Sequence, residues 1–255
     1  MKISLTAEHT RYFSASNRRL CGVTTYLGGL SKDHLLPWYA RMERDGILAL
    51  MATANAPMTA DDLRRWLPTR EGKPAWFAES KRDRAADLGT VVHAMFQGWI
   101  TNDPLEHDGI GDALWAAAQP GFERVKAWWN ASGFTLVASE LVVICPGPRE
   151  YGGTIDILAT DGEGRTVLVD LKTSKASPWW PYDETFGQVA AYANAGPANV
   201  HRVIVARIGK EEVDEVQAVE LTTDERAEGW ALFCAAHDAY EAKRRLTKAR
   251  KRGGK

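Results

Sequence analysis

Nowhere in the chain do about 18 apolar residues follow one another, the minimum for a membrane-spanning helix. The opening MKISLTAEHTRYF also lacks the apolar segment of a signal peptide. A soluble, cytoplasmic protein with no membrane partner is expected. Cysteine is scarce: Cys21, Cys145 and Cys234 lie far apart with no CxxC pair, which excludes a disulfide-stapled scaffold and leaves buried thiols as the default. There is no GxxxxGK[ST] phosphate loop, so no ATP-driven motor accompanies the rest. Internal repeats are absent too.

What is present is an ordinary globular composition. The 255 residues are 45% hydrophobic and 25% charged, enough for one large α/β core. The net charge of −1 hides an asymmetry, because KRRLTKARKRGGK at 243–255 holds eight Lys or Arg and no acid, leaving residues 1–242 at −9. This basic arm reads equally as a solvated helix end or as a phosphate-contacting element.

The stretch GGTIDILATDGEGRTVLVDLK at 152–172 predicts a β-hairpin. Ile155, Ile157 and Ala159 alternate on one strand and Val167, Val169 and Leu171 on the other, with Asp161-Gly162-Glu163-Gly164 as the turn. A hairpin symmetric about Glu163 sets Asp156 opposite Asp170. Every apolar residue is then expected on one buried side, with Asp156, Asp170 and Lys172 together on the exposed other. Like charges directly opposed across a sheet are unfavourable. Two converging carboxylates are an oxygen-ligand site for Mg²⁺, and the lysine beside them can hold a water or a phosphate oxygen.

Around this hairpin the periodicity predicts a largely helical region over residues 1–80, with Ser31 capping a helix through Met42 and a Thr59–Asp62 capping box starting a second. Helices follow over 81–100 and 112–131, the latter broken or kinked at Pro120-Gly121. Strands are predicted at 134–144, 152–160, 165–172 and 202–208, a helix at 183–195, and a long helix at 223–250. The expectation is a mixed central β-sheet flanked by helices, divided as a helical region 1–80 packed on the core, a core with C-terminal helix over 81–242, and a disordered basic tail over 243–255. Ten Trp include the adjacent pairs Trp128-Trp129 and Trp179-Trp180. One of Trp179 and Trp180 is either exposed for base stacking or part of a satellite cluster under a loop.

Further candidates fall on this scaffold: His93 and Gln97 one turn apart on a helix, Glu140 on the strand before the hairpin, and Gln188 and Tyr192 four apart on the helix after it. Four motifs in this order, Gly89 and His93 of GxxxH, Gly153 and Asp156 of GxxD, Asp170 and Lys172 of DxK, and Gln188 and Tyr192 of QxxxY, resemble the PD-(D/E)XK nuclease superfamily and its RecB-like exonuclease branch, which includes phage-type and CRISPR-associated members. The match runs over residues 85–208, and VTTYLGGLSKDHLLPWYAR is similar to the opening of phage-type members.

The resemblance implies a restriction-endonuclease-like αβββαβ core and a Mg²⁺- or Mn²⁺-dependent, ATP-independent DNA exonuclease of recombination, replication or repair. It would act in the cytoplasm of a bacterial host if phage-encoded. It implies His93, Asp156, Asp170 and the Leu171 carbonyl as metal ligands, with Glu140 as an additional site residue. Lys172 would orient or activate the attacking water, and Gln188 and Tyr192 would be catalytic residues contacting the DNA backbone or the nucleophile's surroundings. DNA would also be held by Lys175, Lys243, Arg244, Arg245, Lys248, Arg250, Lys251 and Arg252. A single-strand-annealing or recombination protein is a partner of unknown identity. Two departures stand out: Gln97 replaces the Glu of many relatives, and three scattered cysteines cannot hold the iron–sulfur cluster of many CRISPR-associated ones. The alternatives are an endonuclease on the same core and a catalytically inactive nucleic-acid-binding module.

Overall fold

A computed structural model describes residues 11–30, 35–53, 59, 61–62, 65, 69–70, 73–74, 77–174, 179–196, 199–209 and 215–253. Ser31 and Lys175 lie outside these residues. The chain forms two compact units, one of residues 31–90 and one of residues 1–30 with 91–255. The smaller unit contains helix α2 (Leu35–Ala52), the short hairpin β3 (Thr69–Arg70) and β4 (Lys73–Pro74), and the first turns of α3 (Phe77–Ile100). The Thr59–Asp62 capping box forms as predicted, with each backbone N–H bonded to the other side chain.

The larger unit is built on a five-stranded sheet in the order β5-β6-β7-β8-β9: β5 (Thr135–Cys145), β6 (Tyr151–Thr160), β7 (Thr166–Ser174), β8 (Arg202–Gly209) and β9 (Gln217–Glu220). Only the β7–β8 pairing is parallel, and α5 (Asp183–Ala195) makes the crossover between those strands. The mixed sheet flanked by helices is thus as the sequence predicts; β9, four residues pairing the far side of β8, is too short and polar to stand out in the pattern.

Helices cover both faces. Val203 and Val205 of β8 pack with Val189 of α5 and Phe233 of α6 (Thr223–Gly253) in one core. On the alternate face of β8, Ile208 meets Gly121 of α4 (Asp112–Ser132), which also lies against Val92 of α3. A strand covered on both sides must be apolar on both sides, and this corrects the one-sided hairpin. Leu168, which shares a face with Asp170, is fully buried, and Asp170 is itself 1% exposed. Pro120 lies inside α4, which is one helix and not two. α6 bears out the helix expected over 223–250 and continues to Gly253, so Lys243, Arg244, Arg245, Lys248, Arg250, Lys251 and Arg252 stand on helical turns, a correction to the disordered tail expected over 243–255.

Small elements from the N-terminus join this unit: the hairpin β1 (Tyr12–Phe13) and β2 (Arg19–Leu20), then α1 (Val23–Leu27). Val23, Tyr26 and Leu27 are buried in the same core as α5 and α6. Among the described residues no helix is long and apolar enough to cross a membrane.

The predicted turn closes β6 onto β7 through Asp161, whose N–H bonds the Arg165 carbonyl at 3.0 Å while Gly164, at φ +75°, bonds back to the Asp161 carbonyl. Burial pushes the Asp161 carboxyl up, but hydrogen bonds from Arg165, Arg202 and the Glu163 N–H outweigh it and leave it well below the usual carboxylate range. A depressed folded-state pKa means stability that is complete above about pH 4 and lost as the pH falls. Asp161→Asn is therefore expected to lower Tm at pH 7, with the gap to the wild type narrowing below about pH 4; thermal melts across that range measure it.

Candidate active site

The β5–β6 register pairs Ser139 with Ile157 and Leu141 with Ile155, so Glu140 stands level with Asp156. The β6–β7 ladder ends at Ile157 and Val169, so the predicted register holds up to the residues just before the two aspartates, which then flank the opening between the strands. Three carboxylates thus occupy one row across three neighbouring strands. Glu140 has φ +50°, a left-handed conformation that is strained for a residue with a Cβ and that interrupts the ladder where the row crosses β5.

The strands fork beyond the end of the β6–β7 ladder. Asp156 fills the opening with its side chain, Oδ2 accepting the Leu171 N–H at 2.8 Å. Beyond it, β7 keeps only its parallel pairing with β8, Asp170 beside Val205 and Lys172 beside Arg207. Buried Arg207 donates to the Ser174 carbonyl and to Gln217 Oε1, tying down the end of β7. Lys172 Nζ lies 2.7 Å from Asp170 Oδ2. Neither oxygen of this buried carboxylate accepts a well-formed hydrogen bond among the described residues, so the ion pair is its principal compensation.

His93, from the part of α3 in this unit, brings Nδ1 to 3.9 Å from Asp156 Oδ2. Burial, then the Lys172 charge, push the imidazole down to about 4, so it is neutral at physiological pH with a lone pair to offer. Burial drives Asp170 up to about 6, helped by Asp156 and opposed by Lys172. Asp156 is likewise raised by burial, against the pull of Lys172 and the Leu171 N–H. Glu140 is exposed as a residue, yet its carboxyl is pushed up to about 7, by loss of solvent around the group and then by Asp156 and Asp170. Burial pulls Lys172 down, but the two aspartates outweigh it and keep it an ammonium.

Gln188 and Tyr192, one turn apart on α5, are joined by a 2.8 Å hydrogen bond from Nε2 to the phenol oxygen. Burial and the charge of Asp170 raise the Tyr192 phenol, holding it in the protonated form. Its ring rests on β6 at Gly153, where a Cβ would come within 2.5 Å of Cε1. The adjacent Gly152 takes the Tyr12 ring in the same way, and the Tyr12 hydroxyl lies 3.1 Å from Thr154 Oγ1. Two glycines inside a strand mark a close approach. That signal marks the approach but not the residue that makes it, so the motif pattern misses Tyr12, as it misses Ser139, whose Oγ donates to the Asp156 carbonyl at 3.2 Å.

The structure therefore gathers His93, Glu140, Asp156, Asp170, Lys172, Gln188 and Tyr192 around the fork, with Leu171 between the two aspartates. The cations from Lys243 to Arg252 are on α6, and no contact among the described residues joins them to the carboxylates. Trp179 packs in the core while Trp180 is 60% exposed, which settles how that pair divides. Among the described residues no three His, Cys, Asp or Glu side chains already converge tightly enough to form a metal site. The donor set nevertheless fits a hard divalent cation: carboxylate oxygens in a row, one pair of them buried without a hydrogen bond, beside a neutral imidazole.

The close packing at Gly153 has a measurable consequence. Gly153→Ala should lower Tm by several degrees, the effect of roughly 1–3 kcal/mol of overpacking. Gly162→Ala, in the open hairpin turn with nothing within 4 Å of an added Cβ, should leave Tm nearly unchanged in the same thermal melts.

No protein-family model and no curated protein matches the sequence. Among solved structures, the chain is similar to a candidate exonuclease from Eubacterium rectale, at 14% identity and TM-score 0.42 over 70% of this chain and 72% of that one. It is also similar to the protein SSO0001, at 11% identity and TM-score 0.33 over 62% of this chain and 85% of that one.

Proposed function

We propose that the chain is a metal-dependent nuclease that hydrolyses phosphodiester bonds of DNA, acting as an exonuclease without ATP. The observation that carries this reading is the row of Glu140, Asp156 and Asp170 across three strands, completed by Lys172 Nζ at 2.7 Å from the buried Asp170 carboxylate. Such an array is poorly suited to stability. It is well suited to hold Mg²⁺ or Mn²⁺ through Asp156, Asp170 and the Leu171 carbonyl, with His93 and Glu140 alongside. A bound divalent cation lowers the pKa of water and absorbs charge on the phosphoryl oxygens.

The chain's own residues supply the rest. Lys172, held as an ammonium, orients the attacking water or a phosphate oxygen. The water gives up a proton as its oxygen bonds to phosphorus, the bond from phosphorus to the leaving sugar oxygen breaks, and that oxygen takes up a proton, so that the water's elements are divided between the two products. Gln188 and Tyr192, linked to each other and facing the fork, position the backbone of the strand being cut. The neutral amide and protonated phenol add no negative charge beside a phosphate.

The test compares end-labelled linear DNA with closed circular DNA in Mg²⁺ or Mn²⁺ and in EDTA. Linear DNA is expected to be degraded from its ends and circular DNA to survive, with no cleavage in EDTA; cutting of the circle selects the endonuclease reading. Asp156→Asn, Asp170→Asn and Lys172→Ala should each lower the rate by about 100-fold or more, with the folded state retained by circular dichroism. Activity that persists in EDTA, or in Asp170→Asn, overturns the proposal.

His93→Ala is expected to weaken metal binding by about 10- to 100-fold in a calorimetric titration. Its Tm without metal should change little. A large fall in Tm with unchanged titration would make His93 a packing residue instead.

A further inference from the structure

α1 and the second half of α6 enclose a groove of about 640 Å³. Its cationic wall is Lys243, Arg244, Lys248 and Lys251, its opposite side carries Thr24 and Thr25, and Gly28 and Gly29 leave the far edge low. Helical periodicity explains the wall: residues three and four apart share a face. The segment from Lys243 to Lys251 extends about 12 Å along the helix axis.

These charges have little to occupy them within the protein. Arg244 is paired with Glu241 at 2.9 Å. Lys243, Lys248 and Lys251 are exposed and have no ion pair among the described residues. Residues 1–242 together carry −9, so this line of cations is a concentrated exception on an acidic body. Unpaired like charges at successive turns destabilise a helix slightly, which makes a ligand for them more informative than a stabilising role.

We infer that this groove is a binding surface for a nucleic-acid backbone, a second contact made at a distance along the strand from the bond being cut. A ligand that satisfies several cations along about 12 Å must itself carry repeated negative charge over that length. Phosphodiester oxygens accept hydrogen bonds from ammonium groups and from the exposed Thr24 and Thr25 hydroxyls alike. The apolar floor, with Leu30, Ala236 and Ala239, offers contact to sugars without selecting bases. The choice of DNA as the polyanion rests on the nuclease reading above; the polyanion groove itself does not.

The experiment measures binding of the full chain to a fluorescent DNA duplex by anisotropy, in EDTA to prevent cleavage, over a series of salt concentrations. The Lys243→Ala, Lys248→Ala and Lys251→Ala triple variant is expected to bind at least about tenfold more weakly at low salt, with a log–log salt slope shallower by about one to three. Far-UV circular dichroism of that variant should match the wild type, so that weaker binding reads as lost charge. An unchanged salt slope overturns the inference, and so does preferential binding of poly-glutamate over DNA, which would mark the groove as a site for an acidic protein segment. If the wild type hydrolyses no phosphodiester yet the triple variant shows the reduced slope, the groove stands and the nuclease reading fails.

Discussion

The structure turns on the burial of a charged row at the point where a sheet forks. β7 is a central strand with helices over both faces, and Asp170 sits in it at 1% exposure. An unpaired carboxylate there would be costly enough to stay protonated. Lys172, two residues along the same strand and 2.7 Å away, supplies the compensating charge. Because residues two apart on a strand project to the same side, the D-x-K spacing delivers this pair from local geometry alone. The remaining negative charge of Asp156 and Glu140 is left for something else to neutralise.

The fork depends on the loss of one of two partners along β7. Its first half pairs antiparallel with β6 and its whole length pairs parallel with β8. Where β6 parts from it, the Leu171 N–H would lack a strand partner, and Asp156 Oδ2 takes it at 2.8 Å. A side chain completing a sheet's hydrogen bonding is thereby fixed in direction, which pre-organises a ligand far better than a solvated carboxylate would be. Gly152 and Gly153 serve the same end by letting Tyr12 and Tyr192 lie flush on β6. Local strain accompanies the arrangement, at the positive φ of Glu140.

Charge is organised on two scales. At the fork a few groups a few ångströms apart set one another's protonation: burial leaves His93 neutral and raises the carboxyls, while the charges of Asp170 and Asp156 keep Lys172 an ammonium against the pull of burial. On α6 the charges are exposed and spread over successive turns, where each contributes little alone and salt screens it. Under the proposed function, the first arrangement would act on a single phosphate and the second would capture a long polyanion.

Much of this was legible in the chain. The alternation of 155–159 and 167–171, the turn at Asp161-Gly162-Glu163-Gly164 and the symmetry about it set the register up to Ile157 and Val169, just before Asp156 and Asp170, because hairpin register is a short-range property. The capping box at Thr59–Asp62, the helix over 183–195 and the juxtaposition of Gln188 with Tyr192 are local in the same sense. Burial was not legible. Alternation suggested one wet face for the hairpin, but the packing of α3 and α4 on one side and α5 and α6 on the other is decided by contacts between residues far apart in sequence, and it made Leu168 and Asp170 interior. The same holds for Glu140, which joins the row only through pairing with β6, for Tyr12, which reaches Thr154 from 142 residues away, and for the basic segment, whose groove exists only because α1 packs against α6. Sequence spacing determined which groups share a strand or a helix face; only tertiary packing decided which of those faces meet, and which of them lose water.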